Sequence, residues 1–265
     1  MQQMMVGLGF KFNGSTETYS TAGTYTDTVP TGATSVTVKS WGAGGESSDG
    51  GAGGHVEGTI SVSGGDTINV YVGAHDGGSP SSSASLTNGG GLSGVKYGSN
   101  VLIAGGGGGG SAGPRGGGGG GNGPGGNGEG DFYAFGGTQS AGGSGSSGDP
   151  VNGGDGSSWN NGSNLVNGGA GGGSGSATDT GGGGNRSGGG GAGYYGGGGG
   201  GGYYDLTASG SGGGGGSGFI SANWTNTVSQ QGGLGSSTPP DTGDPNYVSG
   251  RGGSDQDGLV VLIYS

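Results

Sequence analysis

The residues best suited to chemistry are few. His55 and His75 are the only histidines, and cysteine is absent. A zinc site or a Ser-His-Asp triad needs further groups converging on a histidine. No spacing around His55 or His75 supplies them, so both read as solvated or hydrogen-bonded residues of a strand or loop. Acidic loops at Asp255-Gln256-Asp257-Gly258 and Asp149 to Asp155 have the carboxylates and carbonyls that calcium takes. Neither follows an EF-hand or a calcium-binding nonapeptide, so the expected reading is solvated turns. Glycine runs are one part of a phosphate loop, but no Lys-Ser or Lys-Thr follows any of them. The expectation is a non-enzyme without metal or cofactor. Four Asn-x-Ser/Thr sequons, at Asn13, Asn161, Asn185 and Asn223, are what an Asn-, Ser- and Thr-rich chain contains by chance.

Aromatic residues are the better candidates for recognition. Phe132, Tyr133, Phe135, Trp159, Tyr194, Tyr195, Tyr203 and Tyr204 all fall inside the most glycine-rich part of the chain. Large rings cannot sit between close-packed glycine backbones, so they belong at turns or on faces. There they can stack on sugars or dock against protein loops. The competing reading is that they seal the glycine region against water or pack on a β-sandwich.

The element that must carry these rings runs from residue 105 to 216, where half of the residues are glycine. Glycine loses the most backbone entropy on ordering and has no side chain to bury, so a flexible tract is the default reading. Collagen needs glycine at every third position and abundant proline, whereas here glycines come in runs and the chain has only 8 prolines. A polyglycine II bundle is the third reading. Its extended threefold helices bond backbone to backbone between neighbours, which satisfies buried amides without side chains. Short glycine runs punctuated by Pro114-Arg115, Asn122-Gly123-Pro124, Asn185-Arg186-Ser187 and Tyr194-Tyr195 suit this bundle, since a linker has no need of aromatic pairs.

Composition narrows the setting. Only 25% of residues are hydrophobic and 9% charged, so a conventional core can come only from the flanks. Net charge is −11, which argues against nucleic acid or an anionic membrane surface as partner. No apolar run reaches membrane-spanning length. Met1 to Val6 lacks the basic start and long apolar core of a standard signal peptide. It reads instead as a first strand or a docking segment.

The flanks read as β-protein. Leu8 to Phe12, Thr16 to Tyr19, Thr24 to Val29, His55 to Val62, Thr67 to Val72 and Val101 to Ala104 suit strands, and Gly218 to Ala222 is a further candidate. Thr34 to Trp41 is the clearest half-buried strand, with Val36 and Val38 on one face and Thr37 and Lys39 on the other. Leu259 to Tyr264 is the most apolar run and reads as a central strand buried on both faces. The implied organisation is a docking segment (1–7), a β-sandwich framework (8–104 and 217–265) and a polyglycine II insert (105–216).

Several motifs also resemble a known group. Val29-Pro30-x-Gly32-x-x-Ser35-Val36-x-Val38-x-x-Trp41-Gly42-Ala43-Gly44-Gly45 is similar to the opening of the glycine-rich domain of many phage tail-fibre proteins. A related module occurs in anaplastic-lymphoma-kinase-type receptor ectodomains. Gly65 to Gly73, Asn100 to Gly105 and Gly258 to Tyr264 resemble the later elements, so the match spans roughly residues 20–265. The resemblance implies an all-β, jelly-roll-like β-sandwich with a polyglycine II helix bundle inserted before the final strands. Animal versions carry cysteines in the insert; their absence leans towards the viral or bacterial branch. The glycine region also looks like polyglycine tip adhesins of tailed phages, whose loops contact host proteins or glycans.

The expected function is therefore a non-catalytic virion structural or receptor-binding protein, a tail-fibre or capsid-surface component at the virion surface or outside the cell. Its partners would be a host-surface protein or glycan and other virion or filament subunits, the latter through Met1 to Val6. A self-assembling filament or matrix protein is the alternative, and an ice-binding protein a weaker one.

Overall fold

The computed structural model describes residues 12–76, 87–110, 114–130, 134–145, 158–159, 188–201 and 210–265. Met1 to Val6, the candidate strand from Leu8 to Phe12 except for its last residue, and Asp149 to Asp155 lie outside these residues. Among the described residues, ten strands are arranged in two antiparallel sheets. They are β1 (Ser15–Tyr19), β2 (Gly23–Thr28), β3 (Ser35–Trp41), β4 (His55–Ser61) and β5 (Thr67–Val72), then β6 (Ser93–Tyr97), β7 (Asn100–Ala104), β8 (Phe219–Ile220), β9 (Thr225–Gln230) and β10 (Leu259–Tyr264). Sheet I has the order β1-β10-β3-β4-β9, and sheet II the order β2-β5-β6-β7-β8.

Alternation fixes the register. In β3, Val36 and Val38 turn inward, and β10 adds Val260, Leu262 and Tyr264 beside them. From sheet II, Ile68, Val70, Val72, Val95 and Leu102 meet them. Each fully buried aliphatic side chain stabilises by about 1.5–3 kcal/mol, so this apolar layer holds the sheets together. Tyr264 adds a polar tie between the sheets, donating to the Asp27 carboxylate on β2 at 2.8 Å. At Gly58 of β4 a Cβ would press on the Leu102 side chain of β7 at 2.9 Å and on Trp224 at 3.3 Å, so glycine there leaves room for the close approach of β7 and Trp224. As its composition predicts, β10 is buried on both faces. Trp41, Leu259 and Val261 form a second apolar layer outside sheet I, capped by Tyr247.

The glycine segments bond by a different rule. Along residues 105–110, successive amides donate to different neighbours, and the pattern recurs every third residue. Gly105 and Gly108 donate to Gly120 and Gly117, while Gly106 and Gly109 donate to Ala192 and Gly189. Gly107 donates to Ala43 and Gly110 to Glu46. The carbonyls of 105–110 accept in the same rhythm. Gly54 and Gly51 donate to Gly105 and Gly108, Gly216 and Gly213 to Gly106 and Gly109, and Gly90 to Gly107. The Thr87 hydroxyl completes the series on Gly110. Six segments thus surround this one. The 211–217 segment behaves alike: Gly213 and Gly216 donate to Gly109 and Gly106, and Gly212 and Gly215 to Glu129 and Gly126. Its remaining amides, Ser211, Gly214 and Ser217, donate to Gly201, Gly198 and Tyr195.

Ordering one such residue costs about 1–2 kcal/mol of backbone entropy, and each net hydrogen bond returns about 0.5–1.5 kcal/mol. One donor and one acceptor per residue roughly balance that cost. The arrangement is therefore stable only collectively.

Two strands are absent from the sequence reading, β6 and β9. The glycine-bonded network is also wider than the 105–216 stretch, since it recruits residues 42–54 between β3 and β4 and residues 87–91 ahead of β6. These interstrand connections read locally as loops, yet they wall the central glycine segments.

Candidate binding surfaces

Two surfaces bring together side chains capable of recognition. The first lies outside sheet II. Leu92, Val101, Ile103 and Ala192 form its apolar floor, and Tyr71, Trp159, Tyr194 and Phe219 pack on it, each half-buried. Tyr194 stacks on Phe219 of β8 with centroids 4.1 Å apart. Tyr195 meets Tyr194 edge-on at 5.3 Å, and Trp159 meets Tyr71 edge-on at 5.1 Å. The backbone explains why the pair stands here. Tyr194 donates its amide to the Ser217 carbonyl, and Tyr195 donates its amide to the Ser217 hydroxyl, pinning both residues to the segment that leads into β8. Trp159 is anchored by its amide to the Gly193 carbonyl at 2.9 Å.

Trp159 and Tyr194 thus pack on the sandwich, and Tyr195 joins them at the edge of the cluster. Phe135 is different: its side chain is 47% exposed, on a backbone bonded to Ser144 and Gly198. Phe132, Tyr133, Tyr203 and Tyr204 lie outside the described residues.

The second surface lies outside sheet I, on the connection spanning residues 231–258 between β9 and β10. A connection this long without a strand is unusual in a compact domain, and such loops commonly carry function. This one is pinned throughout. The Trp41 indole donates to the Pro240 carbonyl at 2.9 Å. Lys39 of β3 is paired with Asp244 of the loop and sits 3.7 Å from Glu57. The Asp244 carboxylate also accepts the Asn246 amide at 2.7 Å, closing a tight turn. Asp241 and Asp255 occupy left-handed backbone conformations, φ 58° and 59°, that short polar side chains tolerate better than most. Backbone bonds from Ala52 to Gly233 and from Asp255 to Gly45 tie the loop to the glycine network.

Both histidines belong to this side of the molecule, and one departs from the sequence reading. His55, the first residue of β4, is neither solvated nor hydrogen-bonded. Its side chain is fully buried against Trp41, with ring centroids 4.5 Å apart, and neither ring nitrogen has a hydrogen-bond partner among the described residues. Asp241 is nearest in charge, with an oxygen 3.8 Å from Nδ1, too long for a hydrogen bond. Burial drives the His55 pKa down to about 4, outweighing the pull of Asp241 and Asp244 in the other direction; Lys39 adds to the fall.

His75 fits its reading. Its Nδ1 lies 2.8 Å from Asp257 Oδ1, and this bond raises its pKa despite partial burial. Burial alone would raise the Asp257 carboxyl, but the bonds from His75 and the nearby Arg251 carry it below the ordinary range. Asp257 is therefore committed to His75 and Arg251, whereas the sequence offered it as a solvated turn residue. No group of three or more metal-ligating side chains converges among the described residues.

A cleft of about 470 Å³ opens on this loop, lined in part by Ser237, Thr238, Thr242, Tyr247, Ser249 and Gln256. Sequence reasoning missed it. The only local signals were the turn markers Pro239-Pro240-Asp241 and Asp244-Pro245-Asn246, which say where the chain turns but not what the turns enclose.

No family model matches the chain, and no curated protein matches it in sequence.

Proposed function

We propose that the chain is a non-catalytic virion structural or receptor-binding protein, such as a tail-fibre or capsid-surface component, that displays loops on a rigid polyglycine II lattice. The observation that carries this reading is the three-residue recurrence of hydrogen-bond partners around residues 105–110 and 211–217. A polyglycine II helix has three residues per turn and no internal bonds, so each turn offers amides in three directions. A lattice of this kind resists shear because every segment is tied to several others. Connections between its runs can then project as loops without the runs moving. That suits a protein that meets a host-surface protein or glycan, with Met1 to Val6 available to other subunits of the assembly. The motif resemblance points the same way.

The test is surface binding. Fluorescently labelled protein is incubated with a panel of bacterial strains and read by flow cytometry. Strain-selective binding that falls in Phe135→Ser at an unchanged melting temperature is the expected result. Phe135 is chosen as the probe because it is 47% exposed, whereas Tyr194 is half-buried and stacked on Phe219. Binding to no strain would refute the reading.

A self-assembling filament is the second reading, and β9 favours it. This strand lies at the edge of sheet I and is exposed at all six positions. An open edge of that kind can pair with another chain. Negative-stain images showing filaments rather than discrete particles would transfer the assignment.

A further inference from the structure

We propose that the cleft in the 231–258 connection is a binding site for an uncharged saccharide. It is separate from the aromatics of the glycine region, and it deepens the display reading, on which it rests for its biological setting.

Three observations carry it. The first is lining chemistry. Ser237, Thr238, Thr242 and Ser249 bring hydroxyl groups to the cleft, and none of these hydroxyls has a hydrogen-bond partner among the described residues. A hydroxyl both donates and accepts, so such a rim matches a ligand whose own groups do the same. None of the lining residues carries a charge, which leaves a phosphate, sulfate or carboxylate without a counter-ion.

The second is the aromatic wall. Tyr247 packs one side against Trp41, with centroids 5.6 Å apart, and its hydroxyl donates to the Arg251 carbonyl at 2.8 Å. The ring is held in place while still lining the cleft. A pyranose carries C–H bonds of slight positive charge on its faces, and these meet the negative face of an aromatic ring favourably. A fixed tyrosine beside a ring of hydroxyls is thus matched to a sugar, which is apolar on its faces and polar around its edge.

The third is pre-organisation. The cleft lies on a connection without strands, yet its frame is fixed before any ligand arrives. Gln256 accepts the Gly253 amide, Ser254 donates its amide to the Ser236 carbonyl, and Gly53 donates to Gly252. A site that need not order itself loses little affinity to entropy. Its volume falls in the range of about 300–1,000 Å³ common to small-molecule sites.

The experiment uses the full chain on an array of immobilised neutral, sialylated and sulfated oligosaccharides, followed by saturation-transfer NMR with a soluble neutral hit. Neutral glycans should bind in preference to anionic ones. Thr238→Val and Thr242→Val remove hydroxyls from exposed residues; the double variant should keep the wild-type melting temperature and bind about tenfold more weakly. Tyr247→Ala should abolish binding. The proposal is overturned if no neutral glycan binds, or if the double variant binds as the wild type does. Strain binding without glycan binding would sink the cleft and spare the display reading. Glycan binding lost in the double variant, with no strain bound, would spare the cleft and sink the display reading.

Discussion

Acidification should destabilise this fold through His55, and the size of the effect follows from its surroundings. In the folded chain the imidazole is fully buried against Trp41, with Asp241 of the 231–258 connection 3.8 Å away, and its pKa falls from 6.5 to about 4. In the unfolded chain it titrates near 6.5. Between these values the unfolded state binds a proton that the folded state refuses, so stability falls as pH falls. The slope approaches 1.4 kcal/mol per pH unit, and the interval is worth about 3 kcal/mol in all. That is a large share of a typical stability of about 5–15 kcal/mol. His55→Leu removes the titration and also replaces two unsatisfied nitrogens with carbon, so it should be no less stable than wild type at pH 7 and more stable near pH 4. Guanidinium unfolding followed by tryptophan fluorescence, at intervals from about pH 7 to about pH 4, gives the difference between the two proteins. Because every other acid titrates in both, the difference isolates His55. If the two stability curves run parallel over this range, the buried neutral histidine is wrong.

Two further expectations use the same measurements. Asp257 raises the His75 pKa, so their bond stabilises fully below pH 6.5 and its contribution is lost as pH rises through the folded value. Asp257→Asn should therefore cost more stability near pH 6 than near pH 9, and NMR titration should find the His75 pKa lowered; an equal penalty at both pH values would remove the ion pair from the account. In the glycine network, a methyl group at Gly106 would fall on the Gly90 carbonyl oxygen, and one at Gly213 on that of Gly189. Gly106→Ala and Gly213→Ala should each cost about 3 kcal/mol or more, while Gly123→Ala and Gly243→Ala, where a methyl meets nothing, should stay within about 0.5 kcal/mol in thermal melts.

The strands that could be read from the sequence are those with a dry side. Alternation in β3 and β5 and the unbroken apolar run of β10 each reflect burial that the local pattern records. β9 left no such trace, because Thr-Asn-Thr-Val-Ser-Gln is exposed at every position and so shows no buried face. β6 carries one large inward aliphatic, Val95, beside Gly94, too little to set a period. His55 was misread for a different reason. Its position opposite Trp41 follows from the β3–β4 register, but Asp241, whose carboxylate lies 3.8 Å from its ring, comes from far along the chain. The glycine partners were unreadable in principle: Gly105 and Gly106 are chemically identical, and only the assembled neighbours decide that one bonds Gly120 and the other Ala192.

Finally, a core made of peptide groups changes how the molecule responds to temperature. Exposing apolar surface raises the heat capacity on unfolding, whereas exposing polar backbone lowers it. The sandwich contributes the first kind of surface and the glycine segments the second. Their opposition leaves a smaller heat-capacity change than the chain's length would suggest. The stability curve is correspondingly flat, with its hot and cold limits spread apart. A protein so built keeps its shape across a wide span of temperatures without a large free energy at any one of them.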